Sequence, residues 1–436
     1  MARWIAEWHP DDPAFWESTG KRVARRNLIF SILAEHLGFT VWTLWSIVAT
    51  RLGSYEFTTD ELFWLVALPN LIGSALRLPY TFGPARFGGR TFTVASALLL
   101  LIPAALLGVA VSDPGTPYWA FLVIAALAGF GGGNFASSMA NITYFYPRGK
   151  QGLALGLNAA GGNIGVSSVQ LVMPLVIGSL GLAAAGWFWI PFIVVAAACA
   201  WFFMDNLTTA KADPRQQLAV AGKAQTWIMS FLYIGTFGSF IGYSTAFPLL
   251  SKSLFPDSPY AAVAFAGPLV GSLVRPAGGW LADRLGGAPV TLWSFAVMGG
   301  GVLLVWTASE SGGFWAFFLA FQLLFLTAGI GNGSTYRMIP AIFQAKAVAE
   351  RGEGEEALLH GKRQAAAALG IISAVGALGG FLINRAFGMA FAAAGSPAPA
   401  FLAFGVFYAT CFALTWWCYV RRVGSGVVAS LAHARV

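Results

Sequence analysis

What constrains this chain most is the recurrence, from Asn27 to Val420, of stretches of about 18 or more residues with almost no charge. Each is long enough to cross a hydrocarbon core of roughly 30 Å at about 1.5 Å per residue. Backbone groups left unpaired in lipid are costly, so this many crossings require a bundle of helices and exclude an open sheet. The balance of 57% apolar to 10% charged residues agrees, since it leaves too few charges to clothe a soluble domain of 436 residues.

Twelve spans are expected, at 27–49, 61–82, 91–112, 117–146, 151–179, 181–204, 225–250, 260–282, 289–308, 314–344, 364–388 and 397–420. The basic residues orient them. The N-terminal arm, the connections that follow even-numbered spans and the tail hold most of the lysines and arginines, including Arg25, Arg26, Arg86, Arg148, Lys211, Arg284, Lys362, Arg422 and Arg435. The opposite side holds Arg51, Lys252 and Arg385. By the positive-inside rule both termini of this multi-pass protein are cytoplasmic, as an even number of spans requires. The first 26 residues lack the apolar core of a cleavable signal, so the first span is expected to direct insertion.

Several function classes fall away. The formal charge of +8 is spread singly or in pairs between apolar runs, which is not the footprint of a nucleic-acid binder. Cys199, Cys411 and Cys418 lie in apolar stretches without metal-ligand spacing, and the four histidines are far apart. Neither a metal site, a cofactor nor an enzyme is expected, and the absence of a G-x-x-x-x-G-K-[ST] loop speaks against ATP-driven transport.

The chain also repeats itself. Arg77 and the later Arg86-Phe87-Gly88-Gly89 match Arg275 and Arg284-Leu285-Gly286-Gly287 at a shift of 198 residues, and the run 128–133 matches 328–333 at a shift of 200. The expected organisation is an arm (1–26), a first six-helix bundle (27–204), a linker (205–224), a second six-helix bundle (225–420) and a tail (421–436). A parallel duplication of this kind implies a substrate site near the midplane and alternating access by rocking of the halves.

Two arginines break the apolar pattern. Arg77 and Arg275 each stand nine residues before a loop arginine, hence roughly 13 Å inside the membrane by helical rise. A guanidinium there costs several kcal/mol and does not shed its proton. Among the acidic residues only Glu35 lies well within a span, so at least one of the two lacks an obvious carboxylate. Snorkelling could place a single such arginine; two positions related by the repeat point instead to a bound anion. Glu35 and His36 form a titratable pair and the candidate proton site of an anion/proton symporter, weighed against plain charge balance and packing.

Glycines at four-residue spacing, including Gly129 with Gly133, Gly152 with Gly156, Gly161 with Gly165, Gly329 with Gly333 and Gly376 with Gly380, suit close helix approach. The run Ala128–Ser167 (AGFGGGNFASSMANITYFYPRGKQGLALGLNAAGGNIGVS), with TAGIGNGSTYRMIPAIF and AAAALGIISAVGALGG later, resembles the signatures of the nitrate/nitrite porters of the major facilitator superfamily. GGWLADRLGG, Gly278–Gly287, is similar to the superfamily's interhelical motif, while its first-half mate FGPARFGGR has Ala85 in place of the aspartate.

That resemblance implies an all-α membrane fold of twelve helices in two pseudo-symmetric six-helix bundles. It further implies an anion held between Arg77 and Arg275, with Asn163 hydrogen bonding to it and Phe135, Tyr233 and Phe237 lining the pocket. Gly131, Gly132, Gly133, Gly161, Gly162, Gly165, Gly329, Gly331, Gly333, Gly376, Gly379 and Gly380 become signature and hinge glycines, and Asp283 with Arg284 a gate latch. Guanidinium forks and aromatic walls suit small planar anions with delocalised charge. The expectation is nitrate/nitrite antiport by a monomer in a bacterial inner membrane, alone or beside a second porter, with nitrate/proton symport as the alternative and a nontransporting sensor or scaffold as the rival from another class.

Overall fold

The computed structural model describes residues 4–210, 214–421 and 431; Lys211 and the expected tail beyond Arg421, Leu431 apart, lie outside the described residues. The chain is helical almost throughout. Eleven helices among the described residues are long and apolar enough to cross a membrane. In chain order they are α1 (Pro13–Arg51), α2 (Thr59–Phe87), α3 (Gly89–Ala110), α4 (Tyr118–Phe145), α5 (Gln151–Leu180) and α6 (Ala184–Phe203), and after α7 come α8 (Ala266–Leu285, the main part of a span from Tyr260), α9 (Gly287–Glu310), α10 (Phe314–Arg351), α11 (Glu355–Ala394) and α12 (Ala398–Val420). α7 runs as Ala224–Tyr233, a π-helical turn Ile234–Gly238 and Ser239–Leu254. It is less apolar, yet buried along nearly its whole length, and several of its hydroxyls turn back onto the backbone, as Ser230 Oγ does to the Thr226 carbonyl at 2.7 Å.

The helices divide into two compact units, residues 1–213 with 261–265, and 214–260 with 266–436. In the first, α1 packs on α4 and α5, and α2 on α4; in the second, α7 packs on α11, and α8 on α10. Large apolar side chains such as Trp119, Leu175, Trp293 and Val406 are exposed, the outward surface expected of helices solvated by lipid.

The repeat seen in the sequence recurs in backbone detail. α2 ends at Gly88 and α8 at Gly286, with φ of 86° and 89°, a left-handed conformation that only glycine adopts without strain, and the next helix begins one residue later. Gly73 of α2 meets Gly132 of α4, where a Cβ on Gly132 would stand 2.7 Å from the Gly73 Cα. Its repeat mate Gly271 meets Gly329 in the same way, 2.9 Å from a Cβ built there. Small residues here let backbones touch, which is how these helices associate without a hydrophobic drive. Gly152 and Gly156 differ, with nothing within 4 Å of an added Cβ, so their spacing does not mark a helix contact.

The arm is folded onto the first unit. α1 starts at Pro13, its first turn capped by Asp12, whose Oδ1 accepts from Ala14 N at 2.9 Å. Strand β1 (Trp4–Ile5) pairs in parallel with β2 (Asn206–Leu207), and Trp8 and Trp16 are buried with Phe145 and Leu207. Asp205 accepts from Arg26 and Asn27, tying the end of α6 to α1.

Candidate functional site

Close approach of α2 and α4 carries Arg77 into the interior of the first unit. Because Gly132 lacks a side chain, its carbonyl is open to the Arg77 Nε, which donates to it at 3.2 Å. The guanidinium carbon then lies 4.5 Å from the ring centroid of Phe135 and 5.4 Å from that of Trp42. Arg77 is fully buried, so these cation–π contacts act in desolvated surroundings, where each contributes on the order of 2 kcal/mol. Trp42 is itself fixed, its Nε1 donating to the Pro69 carbonyl at 2.8 Å. Phe39 packs edge-on against both Trp42 and Phe135.

Asn163 is carried by α5 and is 1% exposed. Neither its amide nitrogen nor its oxygen has a hydrogen-bond partner among the described residues. Burying such an amide unsatisfied costs roughly 1–3 kcal/mol per group, so the position is poor for packing and well suited to a polar ligand.

In the second unit, Gly333 brings α10 against α8 so tightly that an added Cβ would stand 2.1 Å from the Arg275 carbonyl oxygen. Arg275 is buried, its guanidinium carbon 5.4 Å from the centroid of Tyr336, and its Nη1 has no hydrogen-bond partner among the described residues. Tyr233 and Phe237 stack at 5.4 Å and 15° where α7 enters its π-turn, four residues apart and so neighbours on the helix surface. Gly376 and Gly379 leave the room they occupy, the first facing the Tyr233 ring and the second the Gly238 backbone.

The structure therefore joins Arg77 to Phe135 and Tyr233 to Phe237. No hydrogen bond links Asn163 to either arginine, and the ring under Arg275 is Tyr336. Trp42 and Tyr336 are the residues that the sequence reading missed. Tyr336 was findable, since the 200-residue shift places Phe135 at Thr335, beside it.

The remaining expected sites are placed as follows. Asp283 pairs with the Arg337 Nε of α10, whereas Arg284 stacks on Trp280 at 4.1 Å. Both members of the pair are about half exposed, so it contributes at most about 1 kcal/mol. Glu35 and His36 part company, Glu35 Oε2 accepting from Asn158 Nδ2 at 2.7 Å and His36 Nδ1 lying 3.1 Å from the Gly161 carbonyl. No cluster of three or more potential metal ligands occurs among the described residues.

Comparison with known proteins narrows what this arrangement serves. The family model described as Major Facilitator Superfamily matches residues 28–354. The chain is 46% identical to the nitrate/nitrite transporter NarU of Salmonella typhimurium and 45% identical to that of Escherichia coli, with 96% of each chain covered. It is 38% identical to the probable nitrate/nitrite antiporter NarK2 of Thermus thermophilus, over 96% of this chain and 97% of that one. The crystal structure of the human organic anion transporter MFSD10 superposes with a TM-score of 0.61, covering 91% of this chain and 99% of that one at 16% identity, which speaks to the fold alone. On the family match and these relatives together, the chain belongs to the nitrate/nitrite porters of the Major Facilitator Superfamily.

Proposed function

We propose that this chain is a secondary transporter that exchanges nitrate for nitrite by alternating access, with Arg77 and Arg275 as the guanidinium donors and Asn163, Phe135, Tyr233 and Phe237 completing the anion's surroundings. One observation carries the reading: two arginines related by the internal repeat are both buried among apolar helices against aromatic rings, one in each unit. The unfilled Nη1 of Arg275 and the unfilled amide of Asn163 are donors and acceptors in search of a small polar ligand. A planar oxyanion fits the guanidinium fork, and rings that exclude water strengthen the contact.

Exchange follows from electrostatics. An empty carrier would have to reorient with the Arg275 guanidinium incompletely paired in a low dielectric, while nitrate or nitrite neutralises part of that charge and permits the change. In this reading α7 is the twelfth crossing, its polar groups tolerated because neighbours surround it, and the helices form two six-helix bundles joined by the segment 205–224. Both termini are cytoplasmic, and the transporter works as a monomer, alone or beside a second porter.

Proteoliposomes test it. Vesicles loaded with nitrite are expected to take up labelled nitrate rapidly and unloaded vesicles slowly; equal rates would exclude obligatory exchange, and strict dependence on a pH gradient would favour proton symport.

A further inference from the structure

α1 reaches α5 through successive polar residues on one side. Glu35 Oε2 accepts from Asn158 Nδ2 at 2.7 Å, His36 Nδ1 meets the Gly161 carbonyl at 3.1 Å, and Thr40 Oγ1 donates to the Gly165 carbonyl at 3.3 Å. Asn158 Nδ2 also lies 2.6 Å from Ser138 Oγ, which lies 2.8 Å from Ser31 Oγ, so the chain of contacts takes in α4 as well. Glu35 and Asn158 are both buried. Gly162 is what lets the carboxylate in, since a Cβ there would stand 2.3 Å from Glu35 Oε1.

We infer that Glu35 is a positioning residue, whose carboxylate, through Asn158 and over Gly162, fixes the rotation of α5 and so the direction in which Asn163 presents its amide. The contacts at 158, 161 and 165 bracket Asn163 on both sides. At about 100° per residue, Asn163 lies roughly 140° around the helix from Asn158, turned away from the face that is held. A few degrees of rotation about the gripped face would move a side chain on the far face by a good part of a hydrogen-bond length. The repeat supports a role near the site. A shift of 198 places Glu35 at Tyr233, and Tyr233 packs over Gly376 as Glu35 packs over Gly162, its Cδ1 2.4 Å from a Cβ built on the glycine. The first unit holds a carboxylate where the second holds a proposed lining residue. This inference rests on the proposed role of Asn163 in nitrate exchange.

The experiment compares Glu35→Ala, Glu35→Gln, Asn158→Ala, the Glu35→Ala/Asn158→Ala double variant and Gly162→Ala in nitrite-loaded proteoliposomes. Each alanine variant is expected to raise the nitrate KM about tenfold while Vmax stays within about twofold, the mark of a binding group set askew. The double variant is expected to fall within about twofold of the worse single one, because both substitutions cut the same contact. Glu35→Gln keeps an oxygen that accepts from Asn158 and is expected to restore KM to within about threefold of wild type. Unchanged KM in Glu35→Ala, multiplying effects in the double variant, or a glutamine variant as defective as alanine would overturn the inference. Should Glu35→Ala fail to accumulate, Gly162→Ala carries the same decision, since its methyl displaces the carboxylate and an unchanged KM there refutes the positioning role. A wild-type protein that exchanges no nitrate would instead refute the proposed function itself.

Discussion

The two repeat-related arginines occupy equivalent backbone positions in unequal surroundings. In the first unit, Arg77 is gripped by the Gly132 carbonyl, Phe135 and Trp42. In the second, Arg275 meets the Tyr336 ring, and its Nη1 has no hydrogen-bond partner among the described residues. The glycines match more closely than the side chains, with Gly88 and Gly286 ending their helices and Gly73 and Gly271 seating them. The helix packing recurs in both units, while the side chains that meet the two arginines differ.

That contrast can be broken outright by removing either charge. Arg77→Ala and Arg275→Ala are each expected to lower nitrate exchange by at least about a hundredfold, the consequence of losing a buried charge-assisted contact of roughly 3 kcal/mol. Near-normal exchange in either variant, measured as labelled nitrate uptake, would remove that arginine from the account.

The packing half of the comparison is sharpened by glycines. Gly333→Ala would place a methyl against the Arg275 backbone and is expected to destabilise the protein by about 1–3 kcal/mol, seen as a lower melting temperature in detergent. Gly152→Ala, in open space on α5, is expected to be neutral or slightly stabilising by the gain in helix propensity of up to about 1 kcal/mol. Equal losses would mean that four-residue spacing and not local contact sets the requirement.

Rings come next. Tyr336→Leu removes the aromatic contact described for Arg275, and Phe135→Leu removes a ring from Arg77 while that of Trp42 stays. With each contact contributing on the order of 1–2 kcal/mol, nitrate KM is expected to rise about tenfold in the first and less in the second. The reverse order would contradict the reading that the second unit is the less supported side. Smallest is Asp283→Asn: its pair with Arg337 is half exposed, so melting temperature should move by a degree or two at most and less at high salt.

Eleven of the spans were legible because charge-poor runs report directly on helices long and apolar enough to cross a membrane, whereas α7, with its polar groups, falls short of that measure among the described residues. Arg77 and Arg275 stood out for the same reason, a charge where the pattern forbids one. What stayed hidden depends on how each helix is rotated about its axis. Trp42 reads as one more apolar residue of α1 until its ring is found beneath Arg77. Glu35 and His36 read as a pair because they are adjacent in sequence, yet one meets the Asn158 side chain and the other the Gly161 backbone. Asp283 and Arg284 were expected to latch neighbouring helices, but which group each one meets was not legible, because a helix turns about 100° between adjacent residues: Arg337 of α10 faces the first and the Trp280 ring the second.

In the proposed exchange, both guanidiniums bind one planar anion through their forked geometry and not through charge alone. Calorimetric titration of nitrate into the purified wild type, Arg77→Lys and Arg275→Lys tests this most directly, because lysine keeps the charge and loses the fork. Both variants should bind nitrate at least about tenfold more weakly than the wild type. Wild-type affinity in either one would contradict the account.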